Sequence, residues 1–236
     1  MRLKLTVEYD GTPFHGWAAQ PGLPTVEAAM RAALAATFDR YDAFAVAGRT
    51  DAGVHALANV VSVDVEGGPA AERVAAALNP RLPDAVSVVS AEPVDPGFHA
   101  RFSARARSYR YRIFTRRAPS PFEVGRSWWR PQPLDDERLN AQAQLLRGEH
   151  DFRAFTPTET QHDVFVRVVE SATWVRRDEH LDLEITADSF LRHMVRTLVG
   201  TMVDGVDVAG LLDGAHRSDA GATAPPHGLY LVSVAY

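Results

Sequence analysis

One glycine-rich segment, Gly48-Arg49-Thr50-Asp51-Ala52-Gly53-Val54-His55-Ala56, concentrates side chains that could do chemistry. Its glycines and alanines let a ligand or another backbone approach closely, and they leave Asp51, Arg49 and His55 as the projecting polar groups. The structural alternative is a tight turn, in which Asp51 bonds its own backbone and Gly53 takes a positive φ. No second histidine or acid lies at ligand spacing from His55, so the segment does not predict a metal site.

The elements that must position this segment follow from hydrophobic periodicity. Leu3, Leu5, Val7 and Tyr9 alternate with polar residues and predict a strand, and Thr25 is placed to cap a helix that ends near Arg40. Further elements of the first half are predicted as strands at 44–47, 57–65 and 86–94 and a helix at 70–78. Those of the second half are strands at 109–114, 164–176, 181–186 and 229–234 and helices at 136–147 and 189–206.

The order β-α-β-β-α-β therefore occurs twice, which predicts an α+β protein built from two ferredoxin-like halves with mostly antiparallel sheets and a cleft between them. We place the domains at 1–103 and 104–236, with the seam between them at 96–107. The chain contains no cysteine, which excludes disulfides, thiolate nucleophiles and zinc–thiolate sites. The N-terminus carries no apolar block typical of a signal peptide or a membrane span, so we expect a cytoplasmic protein.

The distribution of charge along the chain favours a polyanionic partner, although the net charge does not. The net charge is −5, yet the arginine-rich segment (101–130) holds nine arginines against one acid, Glu123. Arginine can grip phosphate oxygens bidentately, so this segment is a candidate phosphate-binding stripe. A solvated surface is the alternative, and the near absence of lysine, with Lys4 alone, reflects a composition bias that weakens the argument from residue type.

The loop around Asp51 resembles the signature of the TruA-type tRNA pseudouridine synthases. Further segments similar to that family occur in the same order along the chain: Tyr9-Asp10-Gly11-Thr12 with Gly16-Trp17, Asn79-Pro80-Arg81-Leu82-Pro83, Phe98-His99-Ala100-Arg101-Phe102-Ser103-Ala104, Tyr109-Arg110-Tyr111, Gly148-Glu149-His150-Asp151-Phe152, His193-Met194-Val195-Arg196, Ala220-Gly221-Ala222-Thr223-Ala224-Pro225 and Gly228-Leu229-Tyr230-Leu231. So many motifs in a fixed order over both halves make coincidence a poor explanation.

The resemblance implies the pseudouridine synthase fold and a cofactor-free, metal-free isomerase of tRNA with Asp51 as its essential carboxylate. It implies that Arg196 is the cation beside Asp51 and that Tyr109 stacks on the target base and assists proton removal. Either group also has an ordinary reading, since a lone helical arginine commonly lays its stem along apolar surface and a strand tyrosine commonly fills a core, as we expect for Tyr111. At 100° per residue, Arg196 falls at the edge of the apolar stripe of its predicted helix, which suits a half-buried ion pair.

The resemblance also implies the substrate contacts. Arg49, His55 and Arg101 would meet the flipped nucleotide or its phosphates, and Leu229 would line the opposite wall, although an ordinary core leucine is the simpler reading. The implied substrate is the anticodon stem-loop, with uridines at tRNA positions 38, 39 and 40, and the implied assembly is a homodimer without a membrane partner. Arg192, one turn before Arg196, either binds phosphate or is a simple solvated arginine.

The carboxylate can act in two ways, by adding to uracil C6 or by acting at the sugar while the glycosidic bond breaks, and the sequence does not choose between them. Two segments depart from the family pattern: Ala18 stands where the family usually has glutamine, and the segment 156–165 has no basic residue. Two other functions remain open from the residues, a non-catalytic RNA-binding module of paired ferredoxin-like domains and a carboxylate-dependent nucleoside hydrolase.

Overall fold

The computed structural model describes residues 1–160 and 163–236, and it shows an α+β protein. Its described strands are β1 Arg2–Tyr9, β2 Arg40–Val46, β3 His55–Glu66, β4 Val86–Pro93, β5 Ala106–Phe114, β6 Trp128–Trp129, β7 Gly148–Asp151, β8 Val166–Arg177, β9 His180–Ala187 and β10 Leu229–Ala235. Its described α-helices are α1 Val26–Ala35, α2 Val74–Leu78, α3 Asp136–Leu145 and α4 Met194–Val203. Every predicted strand and helix is present, although several bounds differ and two short strands were not predicted.

The chain divides into two compact units, Met1–Arg105 with Leu231–Tyr236, and Ala106–Tyr230. The sequence placed all of 104–236 in one domain, whereas the last six residues lie in the first unit. They do so because β10 lies beside β3 of the first unit.

The first unit forms an antiparallel sheet in the order β4-β1-β3-β2. The alternating residues Leu3, Leu5, Val7 and Tyr9 of β1 are buried, as their period of two requires. Helix α1 buries the residues that recur at helical spacing, and the Thr25 side chain accepts a hydrogen bond from the Ala28 N–H at its start. Together these elements place the loop between β2 and β3 against a packed core.

The second unit forms a sheet in the order β5-β9-β8-β7, in which these neighbours are antiparallel and β6 pairs parallel to β5. The sequence missed β6 and β7, because β6 has only two residues and β7, Gly-Glu-His-Asp, has no apolar residue that could show alternation. Of the segment 156–165, residues 161 and 162 lie outside the described part of the chain. Thr156 at its start is buried.

Helix α4 begins five residues later than the predicted start at 189. His193 precedes it with a left-handed backbone, φ 62°, a conformation that ends any continuous helix running from 189. The residues of the predicted apolar stripe are buried and Arg196 is partly buried, but burial extends beyond the stripe, to nine of the ten residues of α4. A helix that is apolar or small on all sides is a core helix.

Candidate active site

The loop between β2 and β3 is held in place by backbone hydrogen bonds to the loop between β1 and α1. The Trp17 N–H donates to the Thr50 carbonyl oxygen at 3.0 Å, and the Gly53 N–H donates to the Phe14 carbonyl oxygen at 3.4 Å. Gly16 has φ 90°, and a Cβ atom there would lie 2.8 Å from the Thr50 carbonyl oxygen. Because only glycine tolerates both the conformation and the approach, this glycine lets the two loops touch.

A buried polar network fixes the residue that directly precedes Asp51. The Tyr9 hydroxyl lies 2.8 Å from Thr50 Oγ1, and Asn59 Nδ2 donates both to the Tyr9 hydroxyl at 3.2 Å and to the Gly48 carbonyl oxygen at 2.8 Å. Tyr9 is 3% exposed and Asn59 is 0% exposed. Burial raises the pKa of Tyr9 to about 12, and its bonds to Thr50 and Asn59 oppose that shift, so the phenol is protonated at neutral pH.

Asp51 lies at the turn of this clamped loop, and it is half-buried while Arg49 is exposed. The Asp51 carbonyl oxygen accepts from the Val54 N–H at 3.1 Å, and Gly53 has φ 77°. A tight turn at Asp51 is therefore compatible with a catalytic role of its side chain. The backbone closes the turn, and the carboxylate lies on a loop whose movement would break buried hydrogen bonds.

His55 has structural contacts at the first residue of β3. It is 3% exposed, and its Nδ1 accepts a hydrogen bond from the Gly11 N–H at 3.0 Å. Asp10 Oδ1 lies 3.2 Å from the same nitrogen. These contacts tie the first loop to β3, while direct substrate binding by His55 stays a prediction that its burial does not favour.

Arg196 is the one residue of α4 that is not buried. Its Nε donates to the Ala224 carbonyl oxygen at 2.9 Å, and the Ala224 N–H donates to the Arg196 carbonyl oxygen at 3.1 Å. This reciprocal pair of bonds fixes the direction in which the arginine side chain leaves the helix. Arg192 is exposed and lies outside the helix, in the turn before it.

The segment 220–224 packs against α4 through glycines. A Cβ atom on Gly200 would overlap the Ala222 carbonyl oxygen, and one on Gly221 would lie 2.7 Å from the Thr201 Cα. The Gly221 N–H also donates to Thr201 Oγ1 at 3.0 Å. This close packing of backbone on backbone fixes the position of Ala224 relative to α4. Because the Ala224 carbonyl oxygen accepts from Arg196, it fixes the arginine side chain as well.

Tyr109 and Tyr111 of β5 point to the same side of the sheet, but only Tyr111 is a core residue. Tyr111 is fully buried and donates its hydroxyl to the Pro225 carbonyl oxygen at 2.8 Å. Burial raises the pKa of the Tyr111 phenol, and the positive charge of Arg196 opposes this shift. Tyr109 is half-exposed, with its ring edge-on to Phe190 at a centroid distance of 4.9 Å.

The remaining predicted substrate residues differ in accessibility. Arg101 is exposed on the loop that follows β4 in the first unit. Leu229, at the start of β10, is only 6% exposed, so the reading as an ordinary core leucine describes its packing. Its lining of a substrate wall stays a prediction.

The arginine-rich segment is less available for phosphate than its sequence suggests. Arg110 and Arg112 face Glu184 and Asp182 across the strand pair β5–β9, at 3.2 Å for Arg110–Glu184 and 3.7 Å for Arg112–Asp182. Arg177 binds both acids as well. Burial raises the pKa of the Asp182 carboxyl, and the three arginines around it oppose that shift. These arginines neutralise cross-strand acids, which a count along the sequence window cannot include.

In the first unit the fold thus brings Asp51, Arg49 and His55 onto one clamped loop, with Arg101 on another loop of that unit. In the second unit, Tyr109, Arg196 and Leu229 belong to elements that surround the buried Tyr111. Sequence reasoning missed the network that holds Thr50. Its signal was Asn59, which stands between apolar residues within strand β3, because a buried amide needs partners.

Within residues 1–160 and 163–236, no group of three or more histidine, aspartate or glutamate side chains is arranged to hold a metal ion. Over the same residues, no helix combines the length and apolar character that crossing a bilayer requires.

Comparison with known proteins identifies the family. Residues 5–103 and 142–236 match the family model of tRNA pseudouridine synthases. The tRNA pseudouridine synthase A of Rhodopseudomonas palustris (strain HaA2) is 43% identical over 243 residues, covering 100% of this chain and 99% of the relative. That of Caulobacter vibrioides (strain NA1000 / CB15N) is also 43% identical, covering 100% and 98%.

Among solved structures, a chain from the crystal structure of a Cbf5-Nop10-Gar1 complex aligns with 97% of this chain and 48% of its own length, at 10% identity and a TM-score of 0.42. That score is too low to compare the folds in detail. The family match over both units and the full-length relatives decide the matter: this chain belongs to the tRNA pseudouridine synthase family.

Proposed function

We propose that this protein isomerises uridine to pseudouridine in the anticodon stem-loop of tRNA, at positions 38, 39 and 40, with Asp51 as the essential carboxylate. The observation that carries the proposal is the loop of Asp51: a half-buried acid on a turn that a buried network and a neighbouring loop hold in place. The family match supplies the reaction, and the sequence motif supplies the residue.

The reaction conserves every atom and the oxidation state, so it balances without a co-reactant. The glycosidic N1–C1′ bond breaks, the uracil turns, C1′ joins C5, and the C5 proton is lost while N1 gains one. A carboxylate serves this sequence either by adding to uracil C6 or by acting at the sugar. Both routes require the uridine to leave its stack, at a cost of a few kcal/mol.

We assign two supporting roles in the second unit. Arg196 supplies the positive charge that pairs with the Asp51 carboxylate once water has left the site, and Tyr109 stacks on the flipped base. The partly buried position of Arg196 on an otherwise buried helix supports the first assignment, because a charge held partly out of water is stabilised by an opposite charge. The half-exposed ring of Tyr109, beside the buried Tyr111, supports the second.

The proposed binding surface uses exposed arginines. Arg49 on the loop of Asp51 and Arg101 on the loop after β4 contact the target nucleotide or its phosphates, because both are exposed cations near candidate RNA-contacting residues. By the same family reading we propose two ferredoxin-like halves, a homodimer and action in the cytoplasm. The antiparallel order β4-β1-β3-β2 of the first unit supports the ferredoxin-like assignment.

The experiment is to treat unmodified tRNA with the purified protein and to map pseudouridines chemically, while tritium release from tRNA carrying [5-³H]uridine gives the rate. The proposal predicts modification confined to positions 38, 39 and 40 together with tritium release. A tRNA whose uridines at those positions are replaced by cytidine is the matched control. Binding without tritium release would establish an RNA-binding module instead, and free uracil would establish a hydrolase.

A further inference from the structure

An exposed phenylalanine stands on the loop between β4 and β5 of the first unit. The Phe102 side chain is 75% exposed, although its neighbour Ala100 is fully buried against Ala47 and Val60. The Ala100 N–H donates to Ser62 Oγ at 3.0 Å, and the Ala100 carbonyl oxygen accepts from the Tyr236 hydroxyl. The base of the loop is therefore anchored in the core, while the ring remains in solvent.

The tip of this loop is organised in advance of any contact. His99 Nδ1 accepts from the N–H groups of Arg101 and Phe102, at 3.1 and 3.3 Å. Ser103 closes the turn, since its N–H donates to the His99 carbonyl oxygen and its Oγ accepts from the His99 N–H. The rings of His99 and Phe102 lie 4.4 Å apart, and the Arg101 guanidinium lies 5.5 Å from the Phe102 ring.

Exposure of an apolar ring to water is unfavourable in free energy, and that free energy is regained when a partner covers the ring. The Arg101 guanidinium near the ring is exposed, so the ring has a cation beside it and fits an anionic partner. A single ring beside a cation matches a nucleotide, with a flat base for the ring and a phosphate for the guanidinium. An apolar protein surface would instead be matched by a contiguous apolar patch.

We infer that Phe102 is a stacking platform for an unpaired base of the tRNA substrate, a nucleotide other than the uridine that reacts, and that Arg101 binds the adjoining phosphate. The inference rests on the proposed function for the identity of the RNA. Phe102 then sets substrate affinity and takes no part in the bond changes. Because its ring is already in place, little conformational freedom is lost on binding.

The test is the dissociation constant of the purified protein for unmodified tRNA, together with the single-turnover rate at saturating protein. Phe102→Ala should weaken binding about tenfold and leave the saturated rate within about twofold. Phe102→Tyr should bind like the wild type, whereas Phe102→Leu should bind like the alanine variant, because it keeps the apolar bulk and loses the flat ring. Val89→Ala, which trims another exposed apolar side chain of the same unit, is the matched control and should change nothing.

An unchanged dissociation constant for Phe102→Ala, or wild-type binding by Phe102→Leu, overturns the inference. A shift of the alanine variant from dimer to monomer in sedimentation, with tRNA affinity unchanged, also overturns it and assigns the ring to a second copy of the chain. The two proposals fail separately: absence of tritium release by the wild type refutes the proposed function, while loss of affinity in Phe102→Ala still supports the RNA platform.

Discussion

Removing one oxygen atom, by Tyr9→Phe, tests whether the buried network holds the loop of Asp51. The Tyr9 hydroxyl contacts Thr50 Oγ1 at 2.8 Å and Asn59 Nδ2 at 3.2 Å in a region closed to water. Phenylalanine leaves both partners without this hydroxyl, and each such loss costs about 1–1.5 kcal/mol. We expect the free energy of unfolding to fall by about 2–3 kcal/mol. For a chain of this size that lowers Tm by about 4–12 °C.

The same substitution has a signature in pH. A tyrosine in the unfolded chain has a pKa of about 10, while burial raises the pKa of Tyr9 to about 12. Between these values the unfolded chain has released the proton that the folded chain retains, so stability falls as pH rises. The contribution of the protonated hydroxyl is intact below about pH 10 and is lost through about pH 12, on the order of 3 kcal/mol. The stability gap between wild type and Tyr9→Phe should therefore narrow over that interval.

The assay is a double-mutant cycle of Tyr9→Phe with Thr50→Val, measured by denaturant unfolding and by the rate of tritium release. A direct hydrogen bond predicts a coupling energy of about 1 kcal/mol, and a reduced kcat with little change in KM, because Thr50 directly precedes Asp51. Thr37→Val removes a hydroxyl bonded to the Ala33 carbonyl oxygen elsewhere in the first unit, and as the control it should leave kcat unchanged. Additive effects in the cycle, or a kcat equal to that of the wild type, would refute the reasoning.

Three further predictions concern the second unit. Arg196→Met should slow single-turnover isomerisation by at least about tenfold with tRNA affinity nearly unchanged, since it removes a charge used only in the chemistry; a wild-type rate would count against the pairing with Asp51. Gly200→Ala, whose new methyl group would overlap a carbonyl oxygen of segment 220–224, should cost about 3 kcal/mol in denaturant unfolding. Gly210→Ala meets nothing within 4 Å and should cost less than about 0.5 kcal/mol. Asp182→Ala should cost about 1.5–3 kcal/mol because it removes a buried carboxylate that is bonded to Arg177 and shared with two further, partly exposed arginines, and equal destabilisation by Lys4→Ala, which breaks an exposed pair, would contradict that ranking.

Much of the fold could be predicted from local pattern. Apolar and polar residues alternate strictly in strand β1, and helix α1 has both a capping threonine and apolar residues at helical spacing. Signals within each segment were therefore enough to predict both elements. The start of α4 could not be predicted, because the left-handed backbone of His193 depends on tertiary packing. The burial of Gly200 and Thr201 was equally hidden, since they are covered by segment 220–224, which lies far along the chain.

The candidate site shows the same division between local and long-range information. The motif places Asp51 on a loop, but the clamp from Tyr9 and Asn59 joins residues 41 to 50 positions apart. The charge of the arginine-rich segment also depended on distant residues, because Asp182 and Glu184 become neighbours of Arg110 and Arg112 only when β5 pairs with β9.

The most direct test of the essential carboxylate is Asp51→Asn, which replaces the charged oxygen with an amide of the same shape. We predict that this variant releases no tritium from [5-³H]uridine tRNA even in a single turnover with excess protein, while its tRNA affinity stays within about tenfold of the wild type because phosphate contacts dominate binding. Asp42→Asn, at an exposed acid of the same unit, should retain the full rate. Measurable pseudouridine from protein carrying asparagine at position 51 would contradict the assignment.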